Sequence, residues 1–181
     1  MSEQDVGTPA LKRLFFALWP EVALQEALHR IAATMLGPVD GRCTPSPNIH
    51  LTLAFLGPVS EEARGCYETA ASGVRAEPLT LTLDAFGCFR RSGILWVGAG
   101  HAPASLLALV RGLSEALRNC GYEPDQRPFR AHLTLARRLR RCPRFPELLP
   151  FDWPVRDFVL VESHTGPRGA EYEILRRWPL A

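Results

Sequence analysis

The pentapeptide HLTLA occurs twice in this chain, at His50–Ala54 and at His132–Ala136. There are only five histidines in 181 residues, so two of the five occupy identical settings. Side chains alternate faces along a strand, which puts His50 and Thr52 on one face and Leu51 and Leu53 on the other. His132 and Thr134 separate from Leu133 and Leu135 in the same way. Each copy reads as a half-buried strand showing an imidazole and a hydroxyl on its open face, roughly 6–7 Å apart at about 3.3 Å per residue. Two such faces opposed across a groove offer two imidazoles and two hydroxyls to one small anion. Near neutral pH an imidazole is a base when neutral and an acid when charged. One histidine would take a proton from an attacking water and the other would give one to the departing oxygen, each role worth about 10²–10⁴-fold. The threonine hydroxyls would hydrogen-bond the non-bridging phosphate oxygens, where transition-state charge collects.

Other chemistries fit less well. A catalytic zinc needs a third protein ligand beyond two histidines, and Thr52 and Thr134 stand where a carboxylate would help. No HExxH helix, dinucleotide GxGxxG loop or Walker A loop is present. No GxSxG elbow is present either, and a single catalytic triad has no use for a duplicated histidine. Two arginines close to the second copy, Arg130 and Arg137, have the planar fork that suits phosphate. Arg130 shares the strand parity of His132. Arg137 has the opposite parity and reaches the same face only if the strand bulges after Leu135.

The elements that must position these residues follow from periodicity. Leu11–Trp19 reads as a strand, and Pro20 opens a helix whose Leu24, Ala27, Leu28, Ile31 and Met35 recur at helical spacing until Gly37-Pro38 closes it. Thr44–Asn48 is a stiff polar approach to the first motif strand, Ile49–Leu56, which Gly57-Pro58 should stop. Ser60 with Glu61 and Glu62 marks the start of a second helix running to about Val74. Leu79–Phe86 alternates as one strand, Gly87 and Arg90–Gly93 make a turn, and Ile94–Val97 returns as a strand. Pro103 begins a third helix with Leu106, Leu109, Val110, Leu113 and Leu117 on its apolar face. The approach Asp125–Arg130 leads to the second motif strand, Ala131–Ala136. An irregular basic loop follows, and then the strands Phe151–Glu162 and Glu171–Trp178. Helix, proline-containing approach and HLTLA strand thus occur twice, which reads as a duplicated half with two strands converging near a pseudo-twofold axis. The class expected is α+β, with antiparallel sheets and flanking helices.

The length suits one domain, with a loose leader over residues 1–10. A hydrophobic fraction of 46% supplies a substantial core. The five cysteines are scattered and odd in number, with no CxxC pair, so they read as buried or idle thiols of a cytoplasmic protein rather than a disulfide framework. No signal peptide or membrane span is expected. The net charge is only +2, yet Lys12 is the only lysine and Arg127–Arg144 holds seven arginines and no acidic residue. That stretch suits a polyanion.

HLTLAFLG at His50–Gly57 and RPFRAHLTLAR at Arg127–Arg137 resemble the paired HxTx motifs of the two-histidine (2H) phosphoesterases. The likeness is greatest to the branch of RNA 2′,3′-cyclic 3′-phosphodiesterases, also called 2′-5′ RNA ligases. RLFFALWP at Arg13–Pro20, FGCFRRSGILWVG at Phe86–Gly98 and LVESHTGPRGAEYEILRRWPL at Leu160–Leu180 resemble that family's opening strand, central hairpin and C-terminal hairpin. The resemblance implies a single bilobal domain over residues 11–181, with two pseudo-twofold lobes and the active site in the cleft between them. It assigns His50 as proton donor and His132 as proton acceptor, with Thr52 and Thr134 on the phosphate and no metal or nucleotide cofactor. The reaction implied opens a 2′,3′-cyclic phosphate to a 2′-phosphate, and its reverse joins RNA through a 2′-5′ linkage. The expected partner is an RNA end carrying a cyclic phosphate, as on tRNA fragments, and the expected state is a monomer. Ala131 departs from the proline that many relatives carry before the second histidine. Parity favours Arg130 and the family pattern favours Arg137 as the phosphate arginine. Phe89, Phe129 and Arg127 are the candidates for holding RNA, since single-stranded RNA is read largely by stacking. Phe15 and Phe55 read as core, and His29 and His101 as surface. Two other functions fit the same motifs: turnover of a small cyclic phosphate such as ADP-ribose 1″,2″-cyclic phosphate, and RNA-end binding without turnover. Titrating groups in both copies argue against the latter.

Overall fold

The computed structural model describes residues 11–36, 41–167 and 169–181, so the leader and the helix-closing Gly37-Pro38 lie outside the described residues. The first half runs through β1 (Lys12–Leu18), α1 (Val22–Met35), β2 (Arg42–Cys43), a short 3-10 turn (Ser46–Asn48), β3 (Leu51–Val59) and α2 (Glu61–Ser72). Next come β4 (Leu79–Leu83), β5 (Ala85–Phe89), β6 (Ile94–Gly98), α3 (Ala104–Arg118) and β7 (His132–Arg137). The chain ends in β8 (Phe151–Val155), β9 (Asp157–Gly166) and β10 (Gly169–Pro179). Two four-stranded antiparallel sheets make the two lobes, in the orders β10-β9-β1-β3 and β2-β7-β6-β5, and β4 pairs with β8 in a separate ribbon.

The local signals act as expected at α2 and α3, whereas α1 starts at Val22 with Glu21 as its N-cap, so Pro20 precedes the helix instead of opening it. Ser60 caps α2, its hydroxyl accepting from the Ala63 N–H at 3.2 Å, and Glu61 and Glu62 fill the first turn. Leu106, Leu109, Leu113 and Leu117 of α3 are buried in a core shared by both sheets. The strands depart from expectation in three places. Leu79–Phe86 is two strands of different sheets, broken at Asp84. The Asp84 N–H donates to the Gly98 carbonyl at 3.1 Å and its carboxylate accepts from the Gly100 N–H at 2.6 Å. Phe151–Glu162 likewise divides at Arg156, between β8 and β9. The first motif strand does not stop at Gly57-Pro58 but runs to Val59, with Gly57 at φ +74° absorbing the irregularity. Gly87 lies inside β5 rather than in a turn, because the Trp96 indole lies over it, with ring atoms as close as 1.9 Å to where a Cβ would sit.

The duplication extends to register. In the first sheet Leu51, Thr52 and Ala54 pair with Leu18, Ala17 and Phe16; in the second, Leu133, Thr134 and Ala136 pair with Val97, Trp96 and Leu95. Each ladder skips one residue, Leu53 in β3 and Leu135 in β7, so each motif carries the same β-bulge. The helices are exchanged between lobes. α1 follows β1 of the first sheet but packs against β7 and β2 of the second, and α3 follows β6 of the second but packs against β3 of the first.

The cysteine expectation is overturned. Cys66 of α2 is bonded to Cys120 just beyond α3, and Cys88 of β5 to Cys142 in the loop after β7; only Cys43 is free. Both bridges join residues 54 apart, so no short spacing advertises them. A closed loop of this size is worth about 4 kcal/mol on the chain-entropy account.

Candidate active site

β3 is the edge of the first sheet and lies against β7, so the two motifs meet where the lobes join. His50 stands one residue before β3, and His132 opens β7. The two imidazoles are held alike. His50 Nδ1 is 2.8 Å from the Asn48 carbonyl, and His132 Nδ1 is 2.8 Å from the Arg130 carbonyl, two residues upstream in each case. A carbonyl only accepts, so Nδ1 carries the proton in both rings. Each Nε2 is then left for the cleft, as a base when neutral and a donor when charged. His50 Nε2 lies 3.1 Å from the Thr52 hydroxyl, and His132 Nε2 has no hydrogen-bond partner among the described residues.

The approach to His50 is fixed by α1. Gln25, 3% exposed, donates to the Ile49 carbonyl at 3.0 Å. His29 Nδ1 meets the Thr44 carbonyl at 2.8 Å, which gives that histidine a positioning contact rather than a merely superficial place. Asn48 donates from its side chain to the Ala170 carbonyl at 2.6 Å, tying the approach to β10. On the second motif the Ala131 carbonyl accepts from Ala99 N–H, and it lies 2.1 Å from where a Cβ on Gly98 would sit. Only glycine fits there.

The bulges decide which residues face the cleft. Leu135 and Ala136 are both buried and Arg137 is exposed, so the extra residue restores Arg137 to the parity of His132 and Thr134. Its charge bears on both histidines, whereas that of Arg130 bears on His132 alone. The same shift in β3 turns Phe55 outward at the position equivalent to Arg137. Phe55 is 54% exposed, with the Arg13 guanidinium 5.7 Å from its ring centroid, and is not core.

Three aromatic residues surround His50, and sequence reasoning singled out only Phe15. The Trp19 indole stacks on His50 at 5.2 Å and 3°, Phe15 stacks at 4.8 Å, and Tyr172 meets it edge-on at 5.2 Å. Trp19 and Tyr172 were not foreseen: one ends a strand that reads as core, and the other comes from β10. Phe89 meets His132 edge-on at 5.2 Å with Trp96 beside it at 6.2 Å, so Phe89 belongs to the cleft wall. Phe129 packs against the core instead. Arg127 is engaged by Asp125 through side chain and backbone.

This surrounding sets the protonation of the site. Burial pushes His50 down to about 4, helped by the charges of Arg137 and His132 and opposed by the Asn48 carbonyl. His132 is lowered too, again chiefly by burial, with Arg137 and Arg130 adding to it against the Arg130 carbonyl. Both imidazoles therefore favour the neutral form more strongly than a free histidine does.

His101 is exposed. His164 stands apart from the pair, with Nδ1 3.7 Å from Glu162 and Nε2 3.4 Å from Glu173. These three have the spacing of metal ligands, but the Lys12 ammonium lies 3.1 Å from Glu162 and already supplies a cation. Glu162 and His164 have the opposite parity to Val161, which packs with Phe15 and Trp19, so the group lies on the other face of the sheet.

A family model described as the 2′-5′ RNA ligase superfamily matches residues 20–167. An RNA 2′,3′-cyclic phosphodiesterase of Escherichia coli (strain K12) is 34% identical over 171 residues, covering 93% of this chain and 97% of that protein. One from Thermus thermophilus is 34% identical over 183 residues, covering 93% of this chain and 90% of that protein. A crystal structure of E. coli LigT complexed with 3′-AMP superposes with a TM-score of 0.88 at 33% identity, covering 94% of this chain and 98% of that one. The α+β architecture with antiparallel sheets and flanking helices is common to both folds. Among the described residues no helix is long and apolar enough to cross a membrane.

Proposed function

This chain belongs to the 2′-5′ RNA ligase superfamily, and from that premise we propose that it hydrolyses RNA 2′,3′-cyclic phosphate ends to 2′-phosphates by two-histidine acid–base catalysis. The observation that carries the reading is the shared tethering of His50 and His132. Both rings give Nδ1 to a carbonyl two residues upstream, and Arg137 bears on both.

The cyclic phosphate sits between the two Nε2 atoms. Thr134 and Thr52 donate to its non-bridging oxygens, and the Arg137 fork neutralises its charge. His132 Nε2 removes a proton from water as the oxygen attacks phosphorus. The P–O3′ bond breaks in line, and His50 Nε2–H gives its proton to the departing 3′ oxygen, leaving the phosphate on the 2′ oxygen. With a 5′ hydroxyl in place of water as the nucleophile, the same groups acting in the same direction break the P–O3′ bond and form a 2′-5′ linkage. Thr52 takes part in charging His50. While His50 is neutral the Thr52 hydroxyl donates to Nε2; once His50 is protonated, Nε2–H turns to the departing 3′ oxygen and the Thr52 hydroxyl is released to donate to the phosphate. The anion's arrival raises both imidazoles and so supplies the proton that the free protein lacks.

The test of the reaction is turnover of an RNA oligomer ending in a 2′,3′-cyclic phosphate, in excess EDTA. A 2′-phosphate product is expected; a 3′-phosphate, or a strict metal requirement, overturns the proposal. The pH dependence is a separate prediction. One histidine must be charged and the other neutral, and in the free protein burial pushes His50 down to about 4 and lowers His132 from the ordinary imidazole range. Below the lower value both are charged and no base remains; above the upper value both are neutral and no acid remains. kcat/KM is therefore expected to be bell-shaped with its maximum on the acid side of neutrality, falling as pH rises through 7. The kcat profile should be displaced to higher pH by the bound anion. A kcat/KM profile that is still rising at pH 8 contradicts this electrostatic account.

A further inference from the structure

Beyond the cleft, at the tip of the β5–β6 hairpin, lies a cavity of about 380 Å³ lined by Arg90, Arg140, Arg141, Leu139 and the Cys88–Cys142 disulfide. Two segments build it. Arg90 comes from the hairpin turn, and Arg140 and Arg141 come from the loop after β7. Three contacts hold those segments together. The Leu139 N–H donates to the Gly93 carbonyl at 3.0 Å. A Cβ on Gly93, at φ +60°, would lie 2.5 Å from the Leu139 carbonyl oxygen, so this close approach depends on glycine. The disulfide ties the loop to β5. None of the three arginines has a carboxylate partner among the described residues. Three exposed like charges around one hollow, without a counter-charge, repel one another, and a bound anion would relieve that repulsion.

The cavity is joined to the catalytic cleft by the chain itself. Arg137 faces the two histidines, and Arg138, in the left-handed region at φ 61°, turns the backbone toward Leu139 and the two cavity arginines. Five residues of extended chain span at most about 17 Å. Arginines therefore run without interruption by acidic residues from the reacting phosphate to the cavity. A positively charged track of this kind follows a single-stranded backbone.

We propose that the Arg90–Arg140–Arg141 cavity is a phosphodiester-binding subsite, which takes the backbone of an RNA upstream of its cyclic end. The Cys88–Cys142 bridge holds its arginines in register. The inference rests on the RNA-end reading above. It predicts that this chain holds an oligomer more tightly than a mononucleotide with the same terminus.

The experiment measures equilibrium binding by the full chain of two probes that it does not consume. One is a fluorescent RNA decamer ending in a 2′-phosphate, and the other is a nucleoside 2′-monophosphate. For the R140A/R141A double variant the decamer is expected to bind about tenfold more weakly. Its salt dependence should be shallower by about 1.4 in log–log slope, from two lost contacts at about 0.7 each for a single strand. The mononucleotide should keep its affinity. Cys142→Ser should weaken decamer binding in the same selective way, with the circular dichroism of the fold retained. An unchanged decamer affinity and slope in R140A/R141A overturns the subsite, as does an equal loss on both probes. An unchanged decamer affinity in Cys142→Ser overturns the part given to the bridge. Failure of the catalytic reading would show separately, as no turnover of any cyclic phosphate by the unaltered protein.

Discussion

His132→Ala and His50→Ala are each expected to lower turnover of an RNA 2′,3′-cyclic phosphate by about 10²–10⁴-fold. The double variant should be scarcely worse than the poorer single one, because groups acting on one transition state are not additive. The fold should survive at His132, which lies on an open face. At His50, alanine removes a ring that Phe15, Trp19 and Tyr172 all touch, so His50→Gln, which keeps a polar side chain of similar reach, is the companion variant. The two roles separate by leaving group. A p-nitrophenyl phosphodiester releases an oxygen that needs no proton, so loss of the donor should matter little on it while loss of the acceptor should cost as much as on RNA. Recovery of His50→Ala but not His132→Ala on that ester supports His50 as donor. Recovery of His132→Ala alone reverses the assignment, and recovery of neither leaves no acid role for either histidine. The reversal has a definite physical basis. His50 suffers the larger depression in the free protein, so by free-state electrostatics alone the proton would reside on His132.

Arg137→Ala is expected to lower kcat/KM by about 10²-fold, the usual cost of removing one preorganised donor from a developing charge. Arg137→Lys should recover part of this, since an ammonium keeps the charge but not the fork. The guanidinium lowers both imidazoles, so removing it raises both, and the whole bell in kcat/KM should move to higher pH. Arg130→Ala removes a charge that bears only on His132 and should move only the limb belonging to His132. Unmoved limbs in Arg137→Ala, or a larger activity loss in Arg130→Ala, would transfer the phosphate role to Arg130.

The motif strands were legible because alternation is local: the shared face of His50 with Thr52, and of His132 with Thr134, follows from a period of two. The bulge was half legible. Leu53-Ala54 and Leu135-Ala136 are apolar doublets that break the alternation, and the parity of Arg137 demanded a bulge if that residue was to act. What was hidden is non-local. Trp19 and Tyr172 reach His50 from β1 and β10, and no spacing within either segment reveals that meeting. The cysteine bridges were missed because connectivity between scattered cysteines is settled by tertiary approach rather than by motif. The strand breaks at Asp84 and Arg156 were missed for a related reason. A strand that leaves one sheet for another keeps its alternation, and Asp84 falls in phase with Thr80 and Thr82, so the pattern of Leu79–Phe86 does not mark the break.

The exchange of helices has a bearing on motion. In many two-lobed enzymes the lobes are separate bodies joined by a hinge, and substrates enter as the bodies swing apart. Here each lobe's sheet is covered by a helix that belongs to the other lobe's strand pair, and one continuous core fills both. Swinging the lobes apart would strip both sheets of their cover at once, which amounts to unfolding. The spacing of the two motif strands is thus set when the protein folds, by packing that both lobes share.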